Sequence, residues 1–345
     1  MPDIEKVREL QSKVMKDIAA GAIIPIMMIG DELGLFEKLY KFGPCSSNKF
    51  AKKTEMDHRY LREWLLALSA AGYVSYESKT EFFSLSDEQY SVLGDENSPS
   101  LMIGGFENLV GAVHNYHLIK QNFKTGKGTE WGSLHPCCLS GSARFFKPAY
   151  SIFLINKWLP SIKGAVSTLN KGGSFADIGC GFGHSTTMIA EQYPQSSVKG
   201  IDPHEQSIHE AQKIAEQKNL NNLSYEIATA ESYSGEYDII SFFDCLHDMG
   251  DPIAAVSYAK TKLKPGGSLM IIEPYANDEV SKNFNIIGQM YYAFSTIACV
   301  PASKSQEGGM ALGAQAGLKK LKNVLNNGGF SKIEMTYKTA SNMVI

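Results

Sequence analysis

The chain has 345 residues, 43% hydrophobic and 20% charged, so it can bury a large core and is long for one domain. Its 33 basic and 36 acidic residues leave a formal charge of −3, which gives no electrostatic reason to expect binding to nucleic acid or to an anionic membrane. The six cysteines form no C-x-x-C pair and match neither a zinc site nor a secreted disulfide framework. We therefore expect reduced thiols and a cytoplasmic location.

The N-terminal hundred residues predict a winged-helix domain, residues 1–100. An apolar run at 18–30, IAAGAIIPIMMIG, is too short for a bilayer, which takes roughly 20 residues, and it follows mixed charges rather than a basic leader, so we expect a buried helix. Leu61, Trp64 and Leu65 recur at helical spacing, and Gly72 ends that helix. The alternating stretch YVSYESKTEFFSLS then predicts a two-stranded wing, and GDENSPS at 94–100 predicts a linker.

Residues 101–165 predict a helical linker and substrate cap. This stretch is rich in aromatic residues, most of which we expect to pack in the core. Phe146 is our candidate for the wall of a pocket that takes an apolar acceptor, with core packing as the alternative.

Residues 166–345 predict a doubly wound α/β domain. Short β-rich runs (SFADIG, SVKGID, LSYEIAT, YDIISFF and SLMIIE) are mostly separated by segments suited to helices. Strands that alternate with helices favour a parallel sheet of Rossmann-like type.

The strand ending at Asp177 runs into Gly179, Gly181 and Gly183. Glycines at this position allow a tight turn and let a ligand touch the backbone. His184 stands where the dinucleotide fingerprint needs its third glycine, which weakens a pyrophosphate interpretation. Asp202 ends the next strand, where a carboxylate can accept hydrogen bonds from ribose hydroxyls.

This D-x-G-x-G-x-G pattern with its downstream acid resembles the class I S-adenosylmethionine (SAM) methyltransferases. The resemblance implies that the glycine loop holds the amino-acid part of SAM, that Asp202 holds the ribose, and that Asp177 supports the loop. The family often has an acid near the adenine after the third strand, where this chain has Thr229. The expected cofactor-binding residues are Asp177, Gly179, Cys180, Gly181, Gly183, Asp202, Pro203, Thr229, Ala230, Phe243 and Asp244.

The stretch DCLHDMGDP leaves the carboxyl end of the fourth strand, which is where ligands bind in such sheets. Its L-H-D-x-x-D pattern is similar to the segment carrying the catalytic histidine in plant-type small-molecule O-methyltransferases, which also have an N-terminal winged-helix dimerisation domain. The stretches YYAFSTIACVPAS and GMALGAQAG are similar to a bacterial branch of winged-helix methyltransferases. We therefore predict His247 as the general base and Glu273, at the end of the fifth strand, as the residue that orients it.

Several alternatives stay open. The alternatives for His247 are a helix-start histidine that is bonded locally and takes no part in the chemistry, and a histidine that hydrogen-bonds the substrate without proton transfer. Asp248 and Asp251 suit a loop or a helix cap. With Asp244 they would also suit Mg²⁺, but no ligand pattern of the metal-dependent relatives is visible, so we expect no metal.

The sequence thus predicts a homodimeric SAM-dependent methyltransferase acting on a small, largely apolar acceptor, most simply a hydroxyl. Tyr291, Tyr292 and Phe294 join Phe146 as candidate substrate contacts. The alternative is a SAM-sensing winged-helix transcriptional regulator. Residues 1–100 hold 12 basic and 16 acidic residues, which disfavours DNA binding and favours a dimerisation module.

Overall fold

The computed structural model describes all residues, 1–345, and divides into two compact units. The first comprises residues 1–111 and 140–148, and the second residues 112–139 and 149–345. The predicted fold class is confirmed: a mainly helical winged-helix part precedes an α/β part with a seven-stranded sheet. The predicted three-part division at residues 100 and 165 stays a prediction.

The first unit combines the long helix α1 with shorter helices and a two-stranded wing. Asp3, Ser46 and Asp57 each cap a helix by accepting backbone N–H groups, and Ser86 forms a reciprocal capping box with Gln89. Its elements are α1 (Ile4–Glu32), α2 (Leu35–Phe42), α3 (Ser47–Thr54), α4 (His58–Ala70), β1 (Ser75–Glu77), β2 (Phe82–Ser84) and α5 (Asp87–Leu93), together with residues 103–111 of α6 (Ile103–Thr125) and 140–148 of α7 (Pro136–Ala149).

The expected buried helix at residues 18–30 is only partly buried, which corrects the sequence prediction. Met27, Met28 and Gly30 are buried. Gly30 packs so closely against Trp64 that an added β-carbon would lie 2.6 Å from its ring. Residues 18–22 are exposed, with Ile18 at 60%, whereas Ile23, Ile24 and Ile26 are half-buried. The reason is the length of α1, because a helix of 29 residues extends beyond the small helical core that packs against its C-terminal end.

The second unit is built on a seven-stranded sheet of order β5-β4-β3-β6-β7-β9-β8. The first five strands in this order pair in parallel and the last two pair antiparallel. The strands are β3 (Ser174–Ile178), β4 (Ser197–Asp202), β5 (Leu223–Ile227), β6 (Tyr237–Phe243), β7 (Leu263–Pro274), β8 (Tyr337–Lys338) and β9 (Asn342–Val344).

Helices follow most of the parallel strands, as the alternating pattern predicts. Helices α8 (Leu159–Ser161) and α9 (Ala165–Asn170) precede the sheet, and the helices that follow its strands are α10 (His184–Gln192), α11 (Glu205–Gln217), α12 (Pro252–Lys262), α13 (Ile286–Phe294), α14 (Val300–Ser305) and α15 (Leu318–Asn327). π-helical segments at Tyr150–Trp158 and Ser295–Cys299 and 3-10 turns at Trp131–Ser133, Leu246–Asp248 and Val280–Asn283 complete the unit.

The core of this unit lies on the central strands and places their carboxyl ends along one edge. Fully buried Ile178, Ile201, Ile240 and Ile271 fix β3, β4, β6 and β7. The loops that follow these strands therefore meet at the edge where ligands bind in parallel sheets. No single helix is long and apolar enough to cross a membrane. Helices α1 and α2 have the necessary length and hydropathy only when taken together, and they are bent by 69° relative to each other.

Candidate active site

The glycine loop after β3 contains three glycines whose backbone has the left-handed conformation. Gly179, Gly181 and Gly183 have φ angles of 72°, 53° and 71°. A β-carbon on Gly179 would lie 2.8 Å from the Cys245 sulfur, whereas one on Gly181 would face open space. The loop thus packs tightly at its base and leaves backbone exposed at its tip, just before the N-terminus of α10, which suits contact with a polar ligand.

Asp202 anchors this loop from the end of β4. One carboxylate oxygen accepts the Gly181 N–H at 2.9 Å and the other accepts the His204 N–H at 2.8 Å. Each oxygen keeps a further lone pair, so ribose hydroxyls can still donate to it. Burial raises the pKa of Asp202, although both amides counteract the shift.

Asp177 holds the loop from beneath. Its carboxylate is fully buried and accepts hydrogen bonds from Ser185 at 2.6 Å, Thr186 at 2.8 Å and Ser241 at 3.3 Å. Burial raises the pKa of Asp177 to about 6, even though the hydroxyls favour the ionised form. The carboxylate therefore ties β3, β6 and α10 together, and this arrangement agrees with the supporting role expected for it.

Thr229 lies beyond β5 and is bound within its own turn. Its hydroxyl is 2.8 Å from the Ser232 hydroxyl and also accepts the Glu231 N–H at 3.3 Å. Pro203 and Thr229 are exposed, and Ala230 is half-buried. Ile227 pairs with Asp202 across β4 and β5 and keeps 52% of its surface exposed, so an apolar face stands beside the predicted ribose position.

Asp244 follows β6 and is fixed on both oxygens. Tyr150 donates to it at 3.1 Å and Asn342 at 3.0 Å, and its N–H bonds the Ile272 carbonyl at 2.8 Å. Its φ of 50° is a left-handed conformation that non-glycine residues seldom adopt. Burial, and then the Glu273 carboxylate, raise the pKa of Asp244 to about 8. This strained, buried acid lies at the strand end where the methyl group is expected.

His247 stands between two carboxylates. Glu273 accepts the His247 backbone N–H at 3.2 Å and contacts Nδ1 of the ring. On the other side, Nε2 lies 3.2 Å from Oδ1 of Asp248. Cys299 completes the cluster, with its sulfur within 4.8 Å of an imidazole nitrogen and an Asp248 oxygen. We call His247, Asp248 and Glu273 the acid–base group.

The charges of this group reinforce one another. Burial works against a charged imidazole, but the neighbouring Asp248 and Glu273 carboxylates outweigh it and hold the pKa of His247 well above its ordinary value. Burial raises the pKa of the Cys299 thiol to about 12, so the thiol stays neutral beside them. The two carboxylates thus strengthen the His247 ring as a proton acceptor.

Asp248 and Asp251 both lie in the loop before α12, where the sequence predicted loop or cap residues. Asp251 does cap α12, accepting the N–H groups of Ile253 and Ala254. Asp248 instead faces the ring of His247, because the 3-10 turn Leu246–Asp248 brings the two neighbouring side chains to one side.

The predicted aromatic substrate contacts have different positions. Tyr291 is buried in a cluster with Cys299 and Ala314, next to the acid–base group, and burial raises its pKa. Tyr292 and Phe294 are half-buried on the same helix and its end. Phe146 belongs to the first unit, where it makes an edge-to-face contact with Phe145 at 5.5 Å. These substrate roles stay predictions.

The second unit also brings in residues that the sequence prediction did not include. Tyr150 and Asn342 are 94 and 98 positions from Asp244 along the chain, so no local pattern could link them. Cys245 donates its thiol to the Ile178 carbonyl at 3.1 Å and fills the base of the glycine loop. The π-helical turn that carries Tyr150 was not visible in the sequence, although such turns are frequent at functional sites.

The residues present fit SAM by their own chemistry. A positively charged sulfonium ligand with a ribose and an amino acid needs acceptors for hydroxyls and an ammonium, and backbone donors for a carboxylate. The open tip at Gly181, the carboxylate of Asp202 and the α10 N-terminus supply these groups on one sheet edge. Phe243 and Cys180, also predicted to bind the cofactor, are buried beside them.

Two protein-family models match the chain. Residues 169–329 match a methyltransferase domain, and residues 21–94 match an Rv2258c-like winged helix-turn-helix domain. A ubiquinone biosynthesis O-methyltransferase of Acinetobacter baylyi is 28% identical over 151 residues, which are 42% of this chain and 60% of that protein. A trans-aconitate 2-methyltransferase of Deinococcus radiodurans is 30% identical over 105 residues, 30% of this chain and 39% of that protein. The chain thus spans less than two thirds of these relatives.

Solved structures resemble the chain over nearly its whole length. A putative O-methyltransferase from Nostoc punctiforme has a TM-score of 0.69 at 17% identity and covers 100% of this chain and 99% of its own. Human N-acetylserotonin methyltransferase, solved with SAM, has a TM-score of 0.70 at 14% identity, covering 97% and 96%. At such identities the likeness shows the fold. The methyltransferase resemblance is confirmed.

Proposed function

We propose that this chain, which joins an N-terminal winged helix-turn-helix domain to a class I methyltransferase domain, transfers a methyl group from SAM to a hydroxyl of a small, largely apolar acceptor. The observation that carries the proposal is the joint placement of the glycine loop and the acid–base group at one edge of one sheet. A cofactor cradle alone would suit a sensor, whereas a cradle with a buried proton-transfer group suits a transferase.

SAM supplies an electrophilic methyl group on a positively charged sulfur. The chain binds the ribose through Asp202 and the amino-acid end through the backbone around Gly181, while Asp177 keeps the loop in shape. The main task left to the protein is to orient the acceptor oxygen and to remove its proton, since a phenol with a pKa of about 10 is mostly protonated at neutral pH.

The acid–base group removes that proton, with His247 as the candidate base at its centre. Glu273 holds Nδ1 and the backbone N–H of His247, which fixes the ring orientation, as carboxylates do in other histidine-based sites. General-base help of this kind is typically worth about 10²–10⁴-fold. Tyr291, packed next to the group, is the candidate contact for the acceptor.

The transcriptional-regulator alternative is not favoured. The methyltransferase matches extend through the acid–base group, which a sensor would not need. A salt-dependent gel shift on random duplex DNA separates the two proposals, because a regulator must bind DNA at low salt. We expect no shift.

Calorimetric titration with S-adenosylhomocysteine, on wild type and on Asp202→Ala, tests the cofactor site. We expect one molecule bound per chain and weaker binding in the variant. Exposed Glu205→Gln serves as the control, since that carboxylate lies on α11 and pairs with His209, which is also exposed. Absence of binding to wild type would contradict the proposal.

We further propose that the partner of the N-terminal unit is a second copy of the chain. Helix α1 exposes large apolar side chains at helical spacing: Ile4, Val7, Leu10, Val14 and Ile18. Such a stripe on one helix suits another helix of the same kind. Sedimentation should show a dimer for wild type and a monomer for a Leu10→Asp/Val14→Asp double variant, with Lys13→Asp, also on α1, as the control. A monomeric wild type would overturn this assignment.

A further inference from the structure

The π-helical turn Ser295–Cys299 brings a third kind of donor atom to His247 and Asp248. An imidazole nitrogen, an Asp248 carboxylate oxygen and the Cys299 sulfur all lie within 4.8 Å of one another. Zinc takes these three donor types in proteins, and its sites outside purely structural roles typically have three protein ligands and one open position. Cys299 comes after β7 and His247 after β6, so folding alone forms this group.

One carboxylate oxygen of Asp248 has no hydrogen bond to satisfy it. This atom, Oδ1, is buried and without a hydrogen-bond partner, although it lies 3.2 Å from Nε2 of His247. A buried oxygen left in this way costs free energy, and a bound ion is one means by which proteins remove that cost. A cation between Oδ1 and Nε2 would bind a lone pair of each atom, since Glu273 occupies the other ring nitrogen.

The spacing of these atoms fits a tetrahedral ion. Zinc bonds of about 2.0–2.2 Å to nitrogen and oxygen, set at tetrahedral angles, hold two ligand atoms roughly 3.3–3.6 Å apart. The 3.2 Å between Nε2 of His247 and Oδ1 of Asp248 is close to this separation. On the far side of the ring, Glu273 contacts Nδ1 and the His247 backbone N–H. A carboxylate behind a histidine ligand is a common partner in zinc sites, where it fixes the ring and strengthens the nitrogen as a ligand.

The donor set does not suit magnesium. Mg²⁺ takes oxygen ligands, and the sequence offered Asp244, Asp248 and Asp251 for it. Asp251 instead caps α12, and both oxygens of Asp244 accept hydrogen bonds, from Tyr150 and Asn342. The group that the structure does form contains a thiol, which favours zinc or another soft divalent cation.

We propose that Nε2 of His247, Oδ1 of Asp248 and the sulfur of Cys299 form an inhibitory site for zinc, with a water molecule as the fourth ligand. The zinc-free chain is the active form, in which His247 takes the proton of the acceptor. Bound zinc occupies the Nε2 lone pair and blocks that step. The inhibition rests on the proposed methyl transfer, whereas the binding does not. As zinc binds, the hydrated ion gives up water ligands and the Cys299 thiol gives its proton to the buffer, which leaves a thiolate ligand.

Metal titration of the whole chain tests the site without any acceptor. The protein is freed of metal with a chelator and titrated with Zn²⁺ by calorimetry and with Co²⁺ by absorption. We expect one tightly bound ion per chain, a thiolate-to-cobalt charge-transfer band and the visible bands of a four-coordinate cobalt ion. Cys299→Ser should lose the charge-transfer band. It should also weaken zinc by more than the about 10- to 100-fold expected for Glu273→Gln, which removes only the partner behind the ring.

Two controls separate this site from other thiols and histidines. Cys137→Ser replaces a half-buried cysteine and His209→Ala an exposed histidine, and both variants should bind zinc as wild type does. Thermal unfolding of the metal-free variants, followed by circular dichroism, confirms that each is folded, and Cys299→Ala serves as a second variant. A wild type that binds no ion tightly would overturn the proposal. So would Cys299→Ser and Cys299→Ala variants that keep the affinity of wild type.

An inhibition assay tests the role assigned to the site. Methyl ether formation from a panel of phenols is measured with added Zn²⁺ and again after excess chelator, with each variant compared with its own zinc-free rate. We expect zinc to stop wild type, chelator to restore it, and Cys299→Ser to need more zinc in proportion to its weaker binding. Zinc that binds wild type without slowing it would overturn the inhibitory role. No product from any phenol contradicts the hydroxyl acceptor class alone, and the metal titration then decides the zinc site by itself.

Discussion

The two halves of the ligand-binding edge hold their carboxylates in opposite ways. At the ends of β3 and β4, Asp177 and Asp202 are bound by hydroxyls and backbone amides, all of them neutral donors whose protons stay in place. At the ends of β6 and β7, Glu273 and Asp248 face the ring of His247. The first half is suited to holding a shape and the second to moving a proton, although both are buried acids on the same sheet.

The sharpest test of this contrast is His247→Ala. Turnover should fall by about 10²–10⁴-fold, because the variant removes the centre of the proton-transfer group. Affinity for S-adenosylhomocysteine, measured by calorimetry, should change little, since the cradle lies in the other half. His209→Ala, on exposed α11, is the matched control. A variant that keeps its turnover, or that loses the ligand instead, would show that the two halves do not divide the work in this way.

A stability measurement examines the shape-holding half. The pKa of Asp177 is about 6 in the folded chain, above its ordinary value, so the folded state binds more protons than the unfolded state between about pH 4 and 6. The free energy of unfolding should therefore decrease as pH rises through this window, by about 3 kcal/mol for Asp177. Asp244, with a pKa of about 8, adds a decrease that continues to higher pH.

Asp177→Asn isolates this contribution. The variant cannot titrate, so its denaturant unfolding between about pH 4 and 6 should show a shallower decrease than wild type. Ser185→Ala should raise the pKa of Asp177 further, because it removes a donor that favours the ionised form. Identical pH profiles for wild type and Asp177→Asn would mean that the carboxylate is ionised throughout and is not held as the geometry suggests.

Asp202→Asn sharpens the comparison on the ligand side. A charge-assisted hydrogen bond contributes about 1.5–3 kcal/mol, so affinity for S-adenosylhomocysteine should fall by about 10- to 100-fold. The rate of the methyl-transfer step in a single turnover at saturating SAM should fall much less than in His247→Ala. If Asp202→Asn and His247→Ala change ligand affinity and single-turnover rate by the same factors, the two halves do not have separate roles.

Thr229→Ala should have the smallest effect. Its hydroxyl bonds Ser232 and the Glu231 amide within an exposed turn, so the change should cost about 1 kcal/mol in stability and alter ligand affinity by less than about threefold. Ile227→Ser, which removes the exposed apolar face beside Asp202, should weaken the ligand more. If calorimetry shows that Thr229→Ala weakens ligand binding more than Ile227→Ser does, the adenine contact belongs to the Thr229 hydroxyl.

The same contrast explains what could be read from the sequence. The glycine loop and Asp202 are local features, a turn and a strand end, and their spacing is fixed by one strand–helix–strand unit. The fold class follows from periodicity, and the methyltransferase domain follows from the resemblance that the glycine loop carries; both were confirmed. His247 and Glu273 were paired through strand order alone, because both end neighbouring parallel strands.

The contacts that were not predicted either join residues far apart in the sequence or depend on the backbone geometry of a turn. Tyr150 and Asn342 reach Asp244 from a helix and from the last strand. Asp248 adjoins His247 in sequence, but only the 3-10 turn decides that its carboxylate faces the ring rather than a helix end. The exposure of α1 could not be predicted either. A helix that packs inside its own chain and a helix that packs against a second chain can have the same apolar sequence pattern.

The left-handed backbone at Asp244 has a consequence for laboratory evolution. A non-glycine residue in this conformation costs of order 1–3 kcal/mol, and glycine or asparagine would adopt it more easily. Selection for heat resistance alone should therefore enrich Asp244→Asn, whose amide can still bond both Tyr150 and Asn342, and a library so enriched should lose activity while it gains melting temperature. Selection that alternates heat with a turnover screen would keep the aspartate and reveal how much stability the enzyme forgoes at this position.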